Sequence, residues 1–466
     1  KWQFTPSGDV SATPALDGTN VYFPDWGGTL YALNQKTGAL LWSHTISDYT
    51  GQAGDWARAT PAVYGNMLIL GTQSAFSNRH GAYLLAVNKK TGALMWSTQV
   101  DTHPESIVTQ GAVIDGSDGI GYVGVASAEE GDAAVVPNYT CCSFRGSILA
   151  FNASNGQILW KDYTVPNGYS GGAVWGSTAV IDHKRGSLYF GTGNNYSLPQ
   201  SVYDCANSNG GTLQPCIDTS DYFDSIMSVD LMTGAVKWAF KAMPDDAWNV
   251  ACFFGGSNCP AKAGPDYDFG QGPTLFTASM PGGGTRQLLG EGQKSGDYWA
   301  IDPSTGAEVW KTNVGPGGTL GGLEWGSATD GNRIYAAVSN WEFASFFYKT
   351  WTLQNGQTTQ GGGWSALDAA TGKILWQTID PAGPAAGGFD PGAVSAADGV
   401  VFGCSLDYEN GTMYAMDAAT GKVLWSFASG SSCNSGASIS GGMVFWGTGY
   451  HLFGTSNPTF YAFGLP

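Results

Sequence analysis

The sequence predicts an all-β protein, an eight-bladed β-propeller, and three observations support this fold class. A short phrase recurs along the chain, the composition favours strands joined by tight turns, and the two chain ends carry complementary halves of the phrase. Glycine is abundant at 69 residues and aromatic residues make up 13%, whereas charged residues, which long helices use heavily, are only 12%.

The recurring phrase is an alternating strand, a polar tight turn that ends in Gly, and a second strand that ends in Trp. Because Asn or Asp opens the turn and Gly supplies the positive φ that it needs, each copy predicts a β-hairpin. The copies are TLYALNQKTGALLW (29–42), YLLAVNKKTGALMW (83–96), SILAFNASNGQILW (147–160), SIMSVDLMTGAVKW (225–238), DYWAIDPSTGAEVW (297–310), GWSALDAATGKILW (363–376) and TMYAMDAATGKVLW (412–425). Strand-like runs upstream of the copies, such as NVYFPD and NMLILGT, leave room for four strands in each blade.

The two chain ends together supply the eighth copy. Lys1-Trp2 is the end of a phrase without its beginning, and TFYAFGLP (459–466) is a beginning without its end. We therefore expect N- and C-terminal strands to share one blade, which closes the ring and removes its open edge. The whole chain, 1–466, is predicted to be a single propeller domain, since a solenoid of stacked sheets would not explain the complementary ends.

Net charge and hydropathy exclude two classes of partner. The net charge of −17 argues against nucleic acid, whose binding requires a basic surface, and against an anionic membrane surface. No apolar run approaches the length that a membrane span requires.

Cysteine usage indicates an oxidising compartment. The eight cysteines fall into the local pairs Cys141–Cys142, Cys205–Cys216 and Cys252–Cys259, which leaves Cys404–Cys433 for a longer link. Four glycosylation sequons agree with a secretory route and lie at Asn138, Asn152, Asn195 and Asn410. The chain starts at Lys1 without a signal peptide, so we expect a mature protein that is secreted or periplasmic.

The adjacent cysteines Cys141 and Cys142 stand out among these pairs. A disulfide normally spans Cα atoms about 4.4–6.8 Å apart, whereas neighbours across a trans peptide are about 3.8 Å apart. Bonding them would close a small strained ring, and such strain persists where function requires it. The alternative interpretation is two unrelated thiols that happen to adjoin.

With these repeats the sequence resembles the quinoprotein alcohol dehydrogenases, propellers that hold pyrroloquinoline quinone (PQQ) and Ca²⁺ on the central axis. It is most similar to the polyvinyl alcohol dehydrogenase-like branch, through GVASAEEG (124–131), CCSFRGS (141–147), GTGNNYS (191–197), PDDAWNVAC (244–252) and GPDYDFGQGP (264–273). The resemblance covers essentially the whole chain. It implies a dehydrogenase that oxidises small or polymeric alcohols, especially secondary hydroxyls, and passes electrons to a separate acceptor. The alternative is a cofactor-free propeller that serves as a glycan- or protein-binding scaffold.

The resemblance also implies which residues bind PQQ. Trp175 in AVWG matches the family's Trp that stacks under the quinone ring, and Arg58 in WARATP matches an Arg that faces the cofactor. Lys294 in QKSG matches the cation beside the quinone carbonyls, where it would also assist catalysis by stabilising the reduced form. Asn340 in VSNW matches an Asn that hydrogen-bonds the quinone. Ser11 stands where the family has a Glu near the first blade.

The same resemblance suggests a lid over the cofactor. In the family a disulfide between adjacent cysteines covers the face of PQQ opposite the stacking Trp, at a place where this sequence has GQAGD (51–55). Here Cys141–Cys142 comes one blade later and is followed by Arg145, which we also expect to bind the cofactor. Both loops open on the same propeller face, so the pair is expected to serve as the lid.

For the metal and the base, the resemblance leaves alternatives open. Asn194 in GTGN and Glu129 in SAEEG match the Ca²⁺ ligands, with Glu130 as the alternative if the loop shifts by one residue. Asp268 in YDF is expected to be the base that takes the hydroxyl proton. That choice requires an insertion over about 249–264, and Asp246 is the second candidate. The position that follows Trp248 in DDAWN reads Asn249, which is a poor proton acceptor.

Overall fold

Eight antiparallel sheets follow one another along the described part of the chain, residues 1–176, 178–341, 348–450, 452 and 454–464 of a computed structural model. Each sheet is a blade in which successive strands pair in order from the first to the fourth. The predicted eight-bladed β-propeller is confirmed. Among the described residues, no helix is long and apolar enough to cross a membrane.

The strand bounds of the eight blades follow the repeated phrase. Blades 1 and 2 contain Ala15–Leu16, Asn20–Pro24, Thr29–Asn34, Leu40–Thr45 and then Ala62–Tyr64, Met67–Gly71, Ala82–Asn88, Leu94–Asp101. Blades 3 and 4 contain Val113–Ile114, Ile120–Ser127, Ser147–Asn152, Ile158–Tyr163 and then Val180–Asp182, Ser187–Gly191, Ser225–Asp230, Val236–Lys241. Blades 5 and 6 contain Thr274–Ser279, Thr285–Gly292, Asp297–Ile301, Glu308–Asn313 and then Ala328–Thr329, Arg333–Val338, Gly363–Asp368, Ile374–Ile379. Blades 7 and 8 contain Ser395–Ala397, Val400–Cys404, Thr412–Asp417, Val423–Ala428 and then Ser438–Ser440, Met443–Gly447, Phe460–Gly464, Trp2–Phe4.

Short elements decorate the loops between these strands. The α-helices are Ile46–Thr50, Glu129–Val135 and Gln200–Ser208, and the 3₁₀ turns are Gln214–Cys216, Val250–Phe254 and Pro384–Ala386. Ser106–Ile107 pairs with the second strand of blade 3, and two small ribbons join Ser170–Gly171 to Asn195–Ser197 and Trp351–Thr352 to Thr358–Thr359.

The first and last strands share blade 8, as the complementary ends predict. Trp2 pairs with Ala462 and Phe4 with Phe460 in an antiparallel register. The ring is thereby closed by hydrogen bonds between the two ends of the chain, which leaves no unpaired edge at that point.

The tryptophan that ends each phrase packs onto the following blade. Trp96 of blade 2 donates its indole N–H to the carbonyl of Ala153 in blade 3 at 3.0 Å, and a Cβ on Gly156 would lie 2.5 Å from the Trp96 ring. Gly156 also has φ 74°, so only glycine meets both demands of this turn. The same Trp-to-carbonyl bond joins blades at Trp2, Trp42, Trp160, Trp238 and Trp376.

Disulfides close the loops that carry the insertions. All of the pairings predicted from spacing are present, Cys141–Cys142, Cys205–Cys216, Cys252–Cys259 and Cys404–Cys433. Of the sequons, Asn138 and Asn410 are exposed, whereas Asn195 is fully buried and donates to Asp221 at 2.9 Å. The folded chain therefore offers no access to a glycan at Asn195.

Glu291 is a buried acid without a hydrogen-bond donor among the described residues. It is 0% exposed in the second strand of blade 5, and neither carboxyl oxygen has a partner. Burial raises the pKa of Glu291 well above its ordinary value, so the native state retains a proton that the unfolded chain releases.

We therefore expect Glu291→Met to stabilise the fold at neutral pH. Above the unfolded carboxyl pKa the wild type loses about 1.4 kcal/mol of unfolding free energy per pH unit until the native pKa is reached, and the variant lacks this loss. Urea unfolding at pH 4 and pH 7 measures the difference, with the exposed Glu308→Met as control. A stability gain at pH 7 no larger than at pH 4 would contradict the prediction.

Candidate active site

The segments that lead into the first strands converge on an axial cavity of about 280 Å³. Small glycine, serine and threonine residues from around the ring form most of its wall, and the larger side chains that line it include Arg58, Trp325 and Tyr450. The cavity wall therefore combines small side chains, several of them with hydroxyl groups, with aromatic rings and one guanidinium.

Arg58 brings a positive charge to this cavity. Its guanidinium lies 5.3 Å from the ring centroid of Trp26 and 5.4 Å from that of Trp325, and its buried Nε has no hydrogen-bond partner. No ion pair joins it to a carboxylate among the described residues, and burial lowers its pKa. Ser11, at the position of the family's Glu, accepts instead from the Trp26 indole at 2.8 Å. Arg58 is thus a partly buried cation that contacts Tyr450 at the cavity wall, and it suits an anionic ligand.

Trp175, Asp268 and Lys294 form a hydrogen-bonded group on the neighbouring blades. The Lys294 ammonium lies 3.1 Å from Asp268 Oδ2, 3.1 Å from Asp266 Oδ1 and 5.2 Å from the Trp175 ring centroid. Trp175 Nε1 donates to Asp268 Oδ2 at 2.8 Å, and the Asn194 backbone N–H donates to Asp268 Oδ1 at 2.7 Å. Asp268 is thereby fixed against the edge of the indole. The sequence-predicted residues Trp175, Asn194, Asp268 and Lys294 come together.

Asp246 supports the segment that carries Asp268. Its carboxylate accepts from the backbone N–H of Tyr267 at 2.8 Å and of Asp266 at 3.2 Å, and burial raises its pKa to about 6. Upstream, Asn249 caps the 3₁₀ turn Val250–Phe254, and Cys252–Cys259 closes the loop that follows. This arrangement agrees with an insertion before Asp268.

Carboxyl groups outnumber cations around Lys294. Burial and the Asp268 carboxylate raise the pKa of Glu130 to about 8 and that of Glu324 to about 7, although Lys294 opposes both shifts. Burial and the carboxyl of Asp246 raise the pKa of Asp224 well above its usual value. Buried oxygens of Glu130, Glu324 and Asp224 have no donor among the described residues. The group can accommodate a further positive charge.

Glu129, the predicted metal ligand, is engaged elsewhere. It is 0% exposed, and its carboxylate accepts from the Tyr139 hydroxyl at 2.9 Å and from the backbone N–H groups of Ser143 and Phe144, each at 2.8 Å. These bonds anchor the loop that contains Cys141 and Cys142. The contacts therefore favour Glu130, the alternative ligand, as the carboxylate that faces the group around Lys294.

The Cys141–Cys142 loop lies beside the Trp175 region. Cys142 and Trp175 pack against the same buried cluster, and Asn249 Nδ2 approaches Cys141 Sγ at 3.6 Å. Asn258, inside the Cys252–Cys259 loop, donates to the backbone carbonyls of Ala133 and Tyr139. The two disulfide loops are thus braced together. The lid over the cofactor stays a prediction.

Two predicted residues have their polar groups occupied by neighbouring backbone. Arg145 donates to the Val165 carbonyl and stacks on Tyr163 at 4.1 Å. Asn340 Nδ2 donates to the carbonyls of Lys349 and Gln360 at 2.9 Å. Among the described residues, no hydrogen bond or ion pair joins either side chain to Lys294 or Asp268, so their cofactor roles stay predictions.

Sequence reasoning missed Asp266, Glu324 and Trp325. A signal for Trp325 was present, because Trp325-Gly326-Ser327 repeats the Trp-Gly-Ser of 175–177 two blades later. Asp266 and Glu324 carried no comparable pattern.

The protein offers few donor atoms for a metal ion at this site. Among the described residues, no three His, Cys, Asp or Glu side chains converge as a metal cluster. Asn194 Nδ2 donates to the carbonyls of Asn195 and Trp248, which leaves Oδ1 for a cation. A hard cation here would combine oxygens of Glu130 and Asn194 with those of a ligand.

Comparisons with known proteins extend this picture. The family model PQQ_2, described as "Outer membrane protein assembly factor BamB", matches residues 1–240 and 360–462. The chain is 32% identical over 400 residues to a polyvinylalcohol dehydrogenase of Sphingopyxis sp. (strain 113P3), covering 82% of this chain and 54% of that protein. It is 29% identical over 494 residues to a polyvinylalcohol dehydrogenase of Pseudomonas sp, covering 98% and 70%.

Solved structures agree on the fold. The quinohemoprotein alcohol dehydrogenase from Comamonas testosteroni superposes with a TM-score of 0.72 at 19% identity, covering 99% of this chain and 76% of that one. The chain spans only about half the length of the Sphingopyxis relative.

Proposed function

The chain belongs to the PQQ_2 family and, within it, to the quinoprotein alcohol dehydrogenases, and from this premise we propose that it oxidises alcohols with PQQ and Ca²⁺. We place it outside the cytoplasm, in keeping with its disulfides. Secondary hydroxyls, as in polyvinyl alcohol, are the proposed substrates, and a separate protein or small molecule is the proposed electron acceptor.

The observation that carries this proposal is the polarity of the axial site. Arg58 offers a partly buried cation without a carboxylate partner among the described residues on one side, and Trp175 offers a flat ring whose edge meets Asp268 and Lys294. A planar ring system that bears carboxylates at one end and quinone oxygens at the other suits this arrangement. The excess of carboxyl groups near Lys294 suits a divalent cation, for which Asn194 Oδ1 and Glu130 are the proposed donors.

The residues of the chain then have distinct tasks. Bound PQQ would supply the hydride acceptor. Asp268 receives the proton of the substrate hydroxyl on Oδ1 or Oδ2, the atoms that Asn194 N–H and Trp175 Nε1 hold in place. Lys294 donates a hydrogen bond toward the negative charge that develops on the acceptor. Asp246 holds the backbone of Asp266 and Tyr267, and thereby the position of Asp268.

We expect Glu130→Gln to lower Ca²⁺ affinity by about 10–100-fold, because one anionic ligand is lost. Ca²⁺ titration of the PQQ-loaded protein, followed by quinone absorbance, measures the change. The control is Glu129→Gln, whose carboxylate anchors the Cys141–Cys142 loop and whose loss should lower the unfolding free energy by about 2 kcal/mol. If Glu129→Gln alone weakens Ca²⁺ binding, the assignment belongs to Glu129.

Reconstitution tests the proposed function directly. The purified chain is mixed with PQQ and CaCl₂, its quinone absorbance is recorded, and dye reduction is assayed with primary alcohols, secondary alcohols and polyvinyl alcohol. Stoichiometric PQQ uptake with Ca²⁺-dependent dye reduction is the expected result. Failure to bind PQQ with or without Ca²⁺ would overturn the proposal.

A scaffold role is the second candidate. The observation that favours it is the description of the matching family model, which names an assembly factor rather than a dehydrogenase. A chain that binds no PQQ but retains a glycan or protein partner would support this alternative.

A further inference from the structure

Trp325 adopts a backbone conformation that is unusual for a bulky residue. Its φ is 58°, in the left-handed region that favours glycine, and Gly326 follows it. The Trp325 N–H donates to the Gly270 carbonyl at 3.1 Å, and Gly326 N–H donates to the Glu324 carbonyl at 2.7 Å. Such conformations persist when the surroundings require the side chain to occupy one place.

The Trp325 ring contacts both sides of the axial site. The Arg58 guanidinium lies 5.4 Å from its centroid, so that Arg58 is held between the rings of Trp325 and Trp26. The Trp175 ring meets Trp325 edge to face, with centroids 5.1 Å apart and planes at 77°. Each geometry is attractive for a specific reason, the first as a cation–π contact and the second as an edge-to-face pair.

The backbone bond couples Trp325 to Trp175 by a second route. Gly270, which accepts from Trp325 N–H, packs against the six-membered ring of Trp175, and a Cβ there would be 2.6 Å from Trp175 Cη2. Trp325 therefore contacts the Trp175 ring directly and is also hydrogen-bonded to Gly270, which packs against that ring. It also lines the axial cavity together with Arg58.

We propose that Trp325 is a positioning residue that fixes Arg58 relative to Trp175, so that the axial site accepts a planar aromatic polycarboxylate in one orientation. The inference rests on the proposed function, since PQQ is such a ligand. In that orientation the carboxylates meet Arg58 while the ring plane lies along Trp175. An ordinary apolar side chain at position 325 would remove one of the contacts that hold the long Arg58 side chain and would leave only those with Trp26 and Tyr450.

Two substitutions of Trp325 distinguish its aromatic contact with Arg58 from the mere filling of space by its side chain. Trp325→Phe and Trp325→Leu both place a branched or bulky side chain at φ 58°, but only the first retains a ring that faces Arg58. We expect Trp325→Phe to bind PQQ nearly as tightly as the wild type, and Trp325→Leu to raise the PQQ dissociation constant about tenfold, as the loss of a desolvated cation–π contact implies. Fluorescence quenching by PQQ and thermal unfolding are measured on the same samples.

A double-mutant cycle on PQQ affinity distinguishes a role of Trp325 through Arg58 from a general effect of Trp325 on folding. In an Arg58→Met background, which has already lost the cation, Trp325→Leu should weaken PQQ binding no further. Equal affinity of wild type and Trp325→Leu, or fully additive losses in the cycle, would overturn the inference. If the leucine variant does not fold, Trp325→Met takes its place with the same expectations. A wild type that binds no PQQ would instead overturn the proposed function.

Discussion

Asp268→Asn is expected to lower kcat by about 10²–10⁴-fold while PQQ remains bound, because the change removes the base but keeps its shape. The amide oxygen keeps one of the two bonds that hold the carboxylate, from Asn194 N–H at 2.7 Å or from Trp175 Nε1 at 2.8 Å, while the amide NH₂ cannot accept the other. Steady-state kinetics with a secondary alcohol, together with the PQQ content of the purified variant, measure the effect.

The control for this prediction is Asp246→Asn. Asp246 is buried next to the Asp268 segment but accepts backbone N–H groups, so its amide variant should lose far less activity. If Asp246→Asn abolishes turnover and Asp268→Asn does not, the base is Asp246 and the insertion lies elsewhere.

Lys294→Met is expected to destabilise the fold by about 3–5 kcal/mol at neutral pH, since it leaves buried carboxylates without their cation. The Lys294 side chain is only 6% exposed and contacts both Asp266 and Asp268. Burial alone would lower the pKa of Lys294, but these carboxylates raise it well above its usual value. The ammonium therefore stabilises the native state throughout the neutral range.

The pH dependence of the Lys294→Met defect has a definite sign. Burial already raises the native pKa of Asp266, and loss of the opposing ammonium raises it further, so the folded variant binds protons that the unfolded chain releases. The loss of stability should be smallest below the ordinary carboxyl pKa and should grow as the pH rises through the neutral range. Urea unfolding across pH 4–8 measures it.

The matched control is Lys311→Met, which removes an ion pair to Asp297 from a lysine side chain that is 43% exposed. Its effect should be less than about 1 kcal/mol, as for other exposed pairs. A Lys294→Met defect of the same small size, or one that shrinks as the pH rises, would contradict the prediction.

The ring of blades could be predicted from sequence because its determinants are local. Each Asn or Asp, each turn Gly and each terminal Trp lies within one phrase, and their contacts repeat from blade to blade. The shared blade followed from the two incomplete phrases alone. The buried Glu291 lay beyond sequence reasoning, since an acid in a strand looks like a solvent-facing residue until its neighbours are placed.

The site was predictable only where a resemblance supplied the roles. Trp175, Asn194, Asp268 and Lys294 meet although they come from separate segments, and no periodicity in the chain indicates that they do. The choice between Glu129 and Glu130 depended on the residue at which the short helix Glu129–Val135 begins. A sequence pattern does not locate a helix start to within one residue. The repeated Trp-Gly-Ser points to Trp325, but the position of its ring depends on a positive φ that a sequence pattern favours only for glycine.

The blades form a closed ring, and Trp-to-carbonyl bonds join neighbouring blades at six of its eight junctions among the described residues. Trp96 of blade 2 is satisfied only when Ala153 and Gly156 of blade 3 are in place, and the same dependence recurs at Trp42 and Trp376. In an open array the terminal unit can fray by losing one neighbour, whereas any unit of a closed ring must break two junctions to leave. An intermediate with one unfolded blade therefore loses two blade interfaces and is disfavoured. We expect the ring to unfold cooperatively, without populated states in which a single blade is unfolded.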